Sequence, residues 1–148
     1  MSADITIRPV VAADEADWRR LWTDYLAFYE TALDQAVLRS TFARLVGEEP
    51  YDPCGLLALI DGVPVGLVHY LFHRHCWRRE NVCYLQDLFV AAGIRGSGIG
   101  RRLIEAVYAA ADAGGCPSVY WVTQETNYQG RMLYDRIGTK TPFIKYQR

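Results

Sequence analysis

The chain has 148 residues, 51% of them apolar, and its 16 lysines and arginines against 17 aspartates and glutamates leave a formal charge of −1. That length and composition suit one domain with a sizeable core and exclude a disordered chain. The near-neutral balance gives no signal for nucleic acid or an anionic membrane surface, so neither is expected as a partner.

Ile5, Ile7 and Val10 alternate with Thr6 and Arg8 and predict a first strand that Pro9 helps to end. Asp14, with Asp17 three positions on, reads as the N-cap of a helix whose buried stripe is Trp18, Leu21, Trp22, Tyr25, Leu26 and Tyr29. A second helix is predicted from Asp34 to Val46, stopped by Gly47 and Pro50. Gly55 to Ile60 and Val63 to Phe72 read as strands joined by an Asp61-Gly62 hairpin turn. A basic connection from His73 to Glu80 leads to a central strand from Asn81 to Val90. A helix follows over Ile99, Leu103, Val107, Ala110 and Ala111, and Gly114-Gly115 with Pro117 ends it. Ser118 to Thr123 reads as a fifth strand, Tyr128 to Ile137 as a last helix capped by Gly138, and Pro142 to Gln147 as a closing strand. The order β-α-α-β-β-β-α-β-α-β predicts one mixed-sheet α/β (α+β) domain over residues 1–148, with a right-handed β-α-β crossover in its second half.

Cys54, Cys76, Cys83 and Cys116 contain no Cys-x-x-Cys spacing, and Met1-Ser2-Ala3-Asp4 has no basic-then-apolar leader pattern. The thiols are therefore expected to be free and the protein cytoplasmic. His69, His73, His75 and Cys76 raise the question of a metal, but their basic setting at a hairpin tip reads as a solvated loop facing an acceptor. No metal is expected.

The stretch Arg95-Gly96-Ser97-Gly98-Ile99-Gly100 lies between the central strand and the third helix. A strand that turns through glycines into a helix leaves N–H donors without intrahelical partners, at the positive end of a helix dipole. Glycines allow close approach of an anion, and Arg95 adds a charged donor. The stretch reads as a pyrophosphate cradle. It lacks the Gly-Lys-Ser/Thr ending of a P-loop. It also lies too late in the chain for a dinucleotide fold, and apolar Val119 to Val122 stands where that fold wants an acid.

Arg95, Gly98 and Gly100 fit the pattern Arg/Gln-x-x-Gly-x-Gly/Ala, Tyr84 to Val90 forms the strand before it, and Thr126 to Gly138 supplies an Asn near a helix start and Leu-Tyr before a closing Gly. Together these segments resemble the GNAT superfamily of N-acetyltransferases. With Phe28-Tyr29-Glu30, they are most similar to its diamine/polyamine N-acetyltransferase-like branch. The resemblance implies a mixed central sheet splayed between the fourth and fifth strands, helices on both faces, and acetyl-coenzyme A as donor to a primary amine by direct attack. The acceptor would be a small, polyamine-like or amino-acid-like amine. A protein lysine or N-terminal acetyltransferase is one alternative, and a non-catalytic acyl-coenzyme A-binding regulatory module is another. An open sheet edge would suit a homodimer.

The resemblance also implies residue roles. Leu88, Phe89 and Val90 would contact the pantetheine arm and thioester. Arg95, Gly96, Ser97, Gly98, Ile99, Gly100 and Arg101 would hold the pyrophosphate. Asn127, Gly130 and Arg131 would hold the cofactor arm, although Asn127 also suits a helix cap. Tyr134 would be the general acid, since a phenol keeps its proton at neutral pH and can pass it to a leaving thiolate. Tyr29, Glu30 and Gln86 would meet the acceptor. Gln86 departs from the polyamine branch, which carries Glu there, and glutamine cannot take a proton. That leaves Glu30, Glu125 or a water chain as the base.

Overall fold

In the computed structural model, residues 3–148 are described; Met1 and Ser2, which fall in the N-terminal stretch searched for a leader, lie outside them. The elements are β1 (Ile5–Pro9), α1 (Glu15–Phe28), α2 (Gln35–Leu45), β2 (Cys54–Ile60), β3 (Val63–His73), β4 (Val82–Val90), α3 (Ile99–Ala113), β5 (Val119–Tyr120) and α4 (Tyr128–Ile137). The strands form one sheet in the order β1-β2-β3-β4-β5, antiparallel except for the parallel β4–β5 pair. The β2–β3 turn carries positive φ at both Asp61 (49°) and Gly62 (82°), the paired left-handed conformation that a two-residue hairpin needs to match strand twist.

Strands β2 and β3 are apolar almost throughout because both faces of the sheet are covered. On one face Trp18, Leu21, Trp22 and Leu26 of α1 pack with Leu38, Phe42 and Leu45 of α2 against Leu57, Leu59, Leu67 and Phe89. On the other, Ile99, Leu103, Ile104, Val107 and Ala111 of α3 pack against Leu56, Ala58, Val68, Cys83 and Leu85. Burying side chains of this kind contributes roughly 1.5–3 kcal/mol each before entropy is counted. Among the described residues, no helix is long and apolar enough to cross a membrane.

Three expectations need correction. Asp14 does not cap α1 with its side chain; its carboxylate takes two hydrogen bonds from Arg8 (2.7 and 2.9 Å) and one from the Val11 N–H (2.8 Å). A bidentate guanidinium outcompetes a helix amide for a carboxylate. Gly138 caps α4 as expected, its N–H donating to the Tyr134 carbonyl (2.8 Å). Its backbone is extended (φ −143°, ψ −179°), and its lack of a side chain matters because a Cβ there would sit 2.9 Å from the Trp121 ring. The fifth strand is two residues long instead of six. The closing strand over 142–147 does not form: that segment is irregular and exposed, and β5, whose outer edge is open, is only two residues long.

Candidate active site at the strand splay

Strands β4 and β5 pair only at Cys83↔Val119 and Tyr84↔Tyr120. The cause lies one step further along. On the β3 side, His69 faces Asp87 and Tyr70 faces Leu85, so Gln86 is an extra, unpaired residue. Such a bulge bends its strand and increases its twist, which carries the rest of β4 away from β5. It also resets the alternation. Leu85 and Leu88 both pack on the α3 face, whereas Asp87 and Phe89 turn toward α1.

The unpaired stretch of β4 presents main-chain groups to the gap. The Ala91 N–H donates to Val65 on β3. Alternate residues of a strand turn these groups to opposite sides, so Leu88 and Val90 turn theirs toward the missing neighbour. Arg95 Nε covers the Val90 carbonyl (3.2 Å). A narrow cleft opens here, lined by Tyr25 and Tyr29 from α1, Gln86 and Leu88 from β4, Trp121, Val122 and Thr123 after β5, and Tyr134 from α4. It reaches both faces of the sheet. Its lining holds no cysteine or serine. Cys83, in the core beside it, has its thiol pushed up to about 12 by burial.

At the β4–α3 turn Gly96 and Gly98 hold φ of 86° and 84°, a region costly to other residues, and a Cβ at either would meet open space. No side chain caps α3, so the first-turn N–H groups of Ile99, Gly100 and Arg101 face outward. The Ile99 side chain is buried, which leaves it only main-chain chemistry. Ser97 is turned inward; both its amide and its hydroxyl donate to the Ile94 carbonyl (3.3 and 2.6 Å).

Arg95, Arg101 and Arg131 have protein partners. Arg95 lies over the rings of Phe28 (5.5 Å) and Phe89 (5.8 Å), and Arg101 pairs with Glu105 (2.8 Å). Arg131 donates to the Glu125 carbonyl (2.6 Å). Asn127 caps α4: its Oδ1 accepts from the Gly130 N–H (3.2 Å) and its Nδ2 donates to Thr123 Oγ1 (2.9 Å). Gly130 is demanded by that cap, since a Cβ there would lie 2.5 Å from Asn127 Nδ2.

The cleft therefore brings together Tyr29, Gln86, Leu88 and Tyr134 of the predicted site. Tyr134 meets Trp121 edge-on (5.6 Å), and burial, then the neighbouring Tyr29, raises its pKa above the ordinary phenol value. Neither Glu30 nor Glu125 is in the lining. Glu30 is exposed with φ 55°, the left-handed residue that closes α1, where its own N–H and that of Thr31 bond the carbonyls of Ala27 and Leu26.

A buried polar chain behind the cleft escaped the sequence reading. Trp18 Nε1 donates to His69 Nε2 (2.9 Å), His69 Nδ1 meets Asp87 Oδ2 (3.0 Å), and Tyr25 donates its hydroxyl to Asp87 Oδ1 (2.9 Å). An indole N–H can only donate, so Nε2 is bare and the single imidazole proton sits on Nδ1. Asp87 is thus a carboxylate with a donor on each oxygen. Burial, then the Asp87 charge, raises the Tyr25 pKa, so its hydroxyl stays protonated. The chain joins residues 51, 18 and 62 positions apart, which no local pattern could reveal. His73 goes elsewhere, to the Tyr120 hydroxyl (2.7 Å), and His75 packs on Trp77.

A profile described as "Acetyltransferase (GNAT) family" matches residues 16–139. The D-amino-acid N-acetyltransferase HPA3 of Saccharomyces cerevisiae is 38% identical over 150 residues, covering 97% of this chain and 90% of that protein. The thialysine N-epsilon-acetyltransferase of Bos taurus is 30% identical, covering 93% and 85%. The aminoglycoside N-acetyltransferase AAC(6')-Iy, solved in complex with CoA, superposes with a TM-score of 0.85 at 17% identity, covering 100% of this chain and 96% of that one. That last likeness is one of fold.

Proposed function

The chain belongs to the acetyltransferase (GNAT) family and is an acyltransferase, and on that premise we propose that it transfers acetyl from acetyl-coenzyme A to the amine of a small, amino-acid-like acceptor. The observation that carries this reading is the gap in the sheet: β4 loses its neighbour after Tyr84, and a cleft reaching both faces opens there. The Leu88 N–H, facing that gap, suits the pantetheine arm or the thioester oxygen. The N–H groups of Gly96, Gly98, Ile99, Gly100 and Arg101 suit the pyrophosphate. Phe89, Arg95, Ser97, Asn127, Gly130 and Arg131 shape this donor side more than they touch the donor, given their present partners. Tyr134 gives its proton to the departing thiolate. A lining without cysteine or serine favours direct attack over an acyl-enzyme.

Two observations favour an amino-acid-like acceptor over a polyamine. Gln86 is neutral where a polycation would want a carboxylate. His73, Arg74, His75, Arg78 and Arg79 form a basic connection that His73 ties to Tyr120, the residue before Trp121 of the cleft lining, and that suits an acceptor carboxylate. The names of the yeast and bovine relatives agree with that class. The test is thiol release from acetyl-coenzyme A with a panel of D- and L-amino acids, thialysine, polyamines and lysine peptides. Sustained release with amino acids is expected. Release with lysine peptides alone would make it a protein acetyltransferase, and cofactor binding without release would make it a regulatory module.

We further propose a cytoplasmic homodimer. Phe143, Ile144 and Tyr146 are at least 76% exposed on an unpaired segment, apolar surface that a second copy would cover, and the sheet has open edges at β1 and β5. Sedimentation at micromolar concentration tests it: a monomer would refute it.

A further inference from the structure

The direct-attack reading leaves one proton without a destination. The attacking nitrogen must shed it, Gln86 cannot accept it, and Glu30 and Glu125 stand outside the cleft. The buried chain behind the wall supplies an answer, and it rests on the amine-acetylation reading above. Tyr25 lines the cleft and has only one hydrogen, which Asp87, as a carboxylate, must receive. What Tyr25 offers the cleft is therefore lone pairs: it is a hydrogen-bond acceptor locked in place. The lock is rigid. The Tyr25 ring stacks on Trp22 (4.7 Å, 11°) and meets Tyr29 and Phe89 edge-on. Asp87 is held by His69, and His69 by Trp18.

We propose that Tyr25 accepts first the hydrogen bond and then the proton of the attacking amine, passing its own hydrogen to Asp87, with His69 and Trp18 as positioning residues. The free-base amine forms the N–C bond and the C–S bond breaks. The surplus N–H proton moves to the Tyr25 oxygen as the Tyr25 hydrogen moves to Asp87 Oδ1. Tyr134 protonates the sulfur. The result is amide, thiol, a neutral Asp87 and a Tyr134 phenolate, and solvent returns the proton from Asp87 to Tyr134 as products leave. No oxidant or further reactant is required. The titratable groups around the Tyr25 oxygen are Asp87 and Tyr84 from β4 and Tyr29 from α1.

The test is a double-mutant cycle on the full chain. Tyr25→Phe keeps the ring contacts and removes the oxygen; Asp87→Asn keeps the shape and removes the charge. Each is expected to lower kcat at least about 20-fold, a conservative floor beneath the roughly 100- to 10,000-fold usual for proton transfer. Acetyl-coenzyme A affinity should stay within twofold of the parent. Because the two serve one path, the double variant should be no slower than the slower single. It also removes the buried charge that Tyr25→Phe leaves underpaired, so it remains informative if that variant folds poorly. A single variant that keeps half the parental kcat, or losses that multiply in the double variant, would overturn the relay. A parent that releases no thiol with any amine would instead overturn the acetylation reading on which it rests.

Discussion

Replacing Tyr134 by Phe isolates one atom of the proposed chemistry. The ring should keep its edge-on packing against Trp121 at 5.6 Å and its place in the cleft wall, so the melting temperature is expected to stay within about 2 °C. What is lost is the proton donor. A thiol near pKa about 8.5 is a poor leaving group as a bare thiolate, and a phenol with a raised pKa still holds its proton for it at pH 7.5. General acid catalysis of this kind is worth roughly 100- to 10,000-fold. The leaving group here departs partly unaided, so a loss of at least about tenfold in kcat is expected, or about 1.4 kcal/mol of barrier. The assay is stopped-flow detection of free thiol at saturating acetyl-coenzyme A, with calorimetry for donor affinity. Since the Tyr134 pKa is raised, the parental rate should hold through neutral pH and fall only above the ordinary phenol range. A variant with unchanged kcat and an unchanged alkaline limb would remove Tyr134 from the mechanism.

Gly98→Ala forces a side chain into φ 84° with no clash, so the expected penalty is about 1 kcal/mol of loop strain, seen as five- to tenfold weaker coenzyme A binding with the fold intact. Gly138→Ala drives a Cβ to 2.9 Å from Trp121 and should cost about 1–3 kcal/mol, with a shift in tryptophan emission from the displaced ring. Asp14→Asn should cost about 2 kcal/mol at pH 7 by breaking the Arg8 fork. Arg8 holds the Asp14 carboxylate below its ordinary pKa, so its stabilisation is complete above about pH 4 and disappears as the pH falls through the lowered value. Denaturation of parent and variant should therefore converge in strong acid; a gap that persists there would contradict the ion pair.

Much of this fold could be read locally. Asp61-Gly62, the stripe from Trp18 to Leu26, and the glycine turn before α3 each state their structure within a few residues, and the structure follows them. Tyr29, Gln86, Leu88 and Tyr134 come together in the lining of one cleft. The misreadings are non-local. The bulge at Gln86 depends on the register between β3 and β4, and it explains why β5 stops after Tyr120. Pro142 to Gln147 reads as a closing strand, but β5, the edge beside which it would lie, is only two residues long. Strand alternation puts Asp87 on the face opposite Gln86 and Leu88. It is on that face, and there it anchors the only buried polar chain that reaches the cleft among the described residues. Arg95 packs on Phe28, which its place in the glycine turn does not announce, while Asn127 caps α4 as its position before that helix also suggests.

Calorimetric titration of acetyl-coenzyme A into the purified chain tests the central claim most directly, because every assigned role depends on a donor seated across the sheet gap. One saturable site per chain, weakened by Gly98→Ala and insensitive to Tyr134→Phe, is the expected result. A titration that shows no saturable binding up to millimolar donor would contradict the reading of the gap and of the glycine turn together.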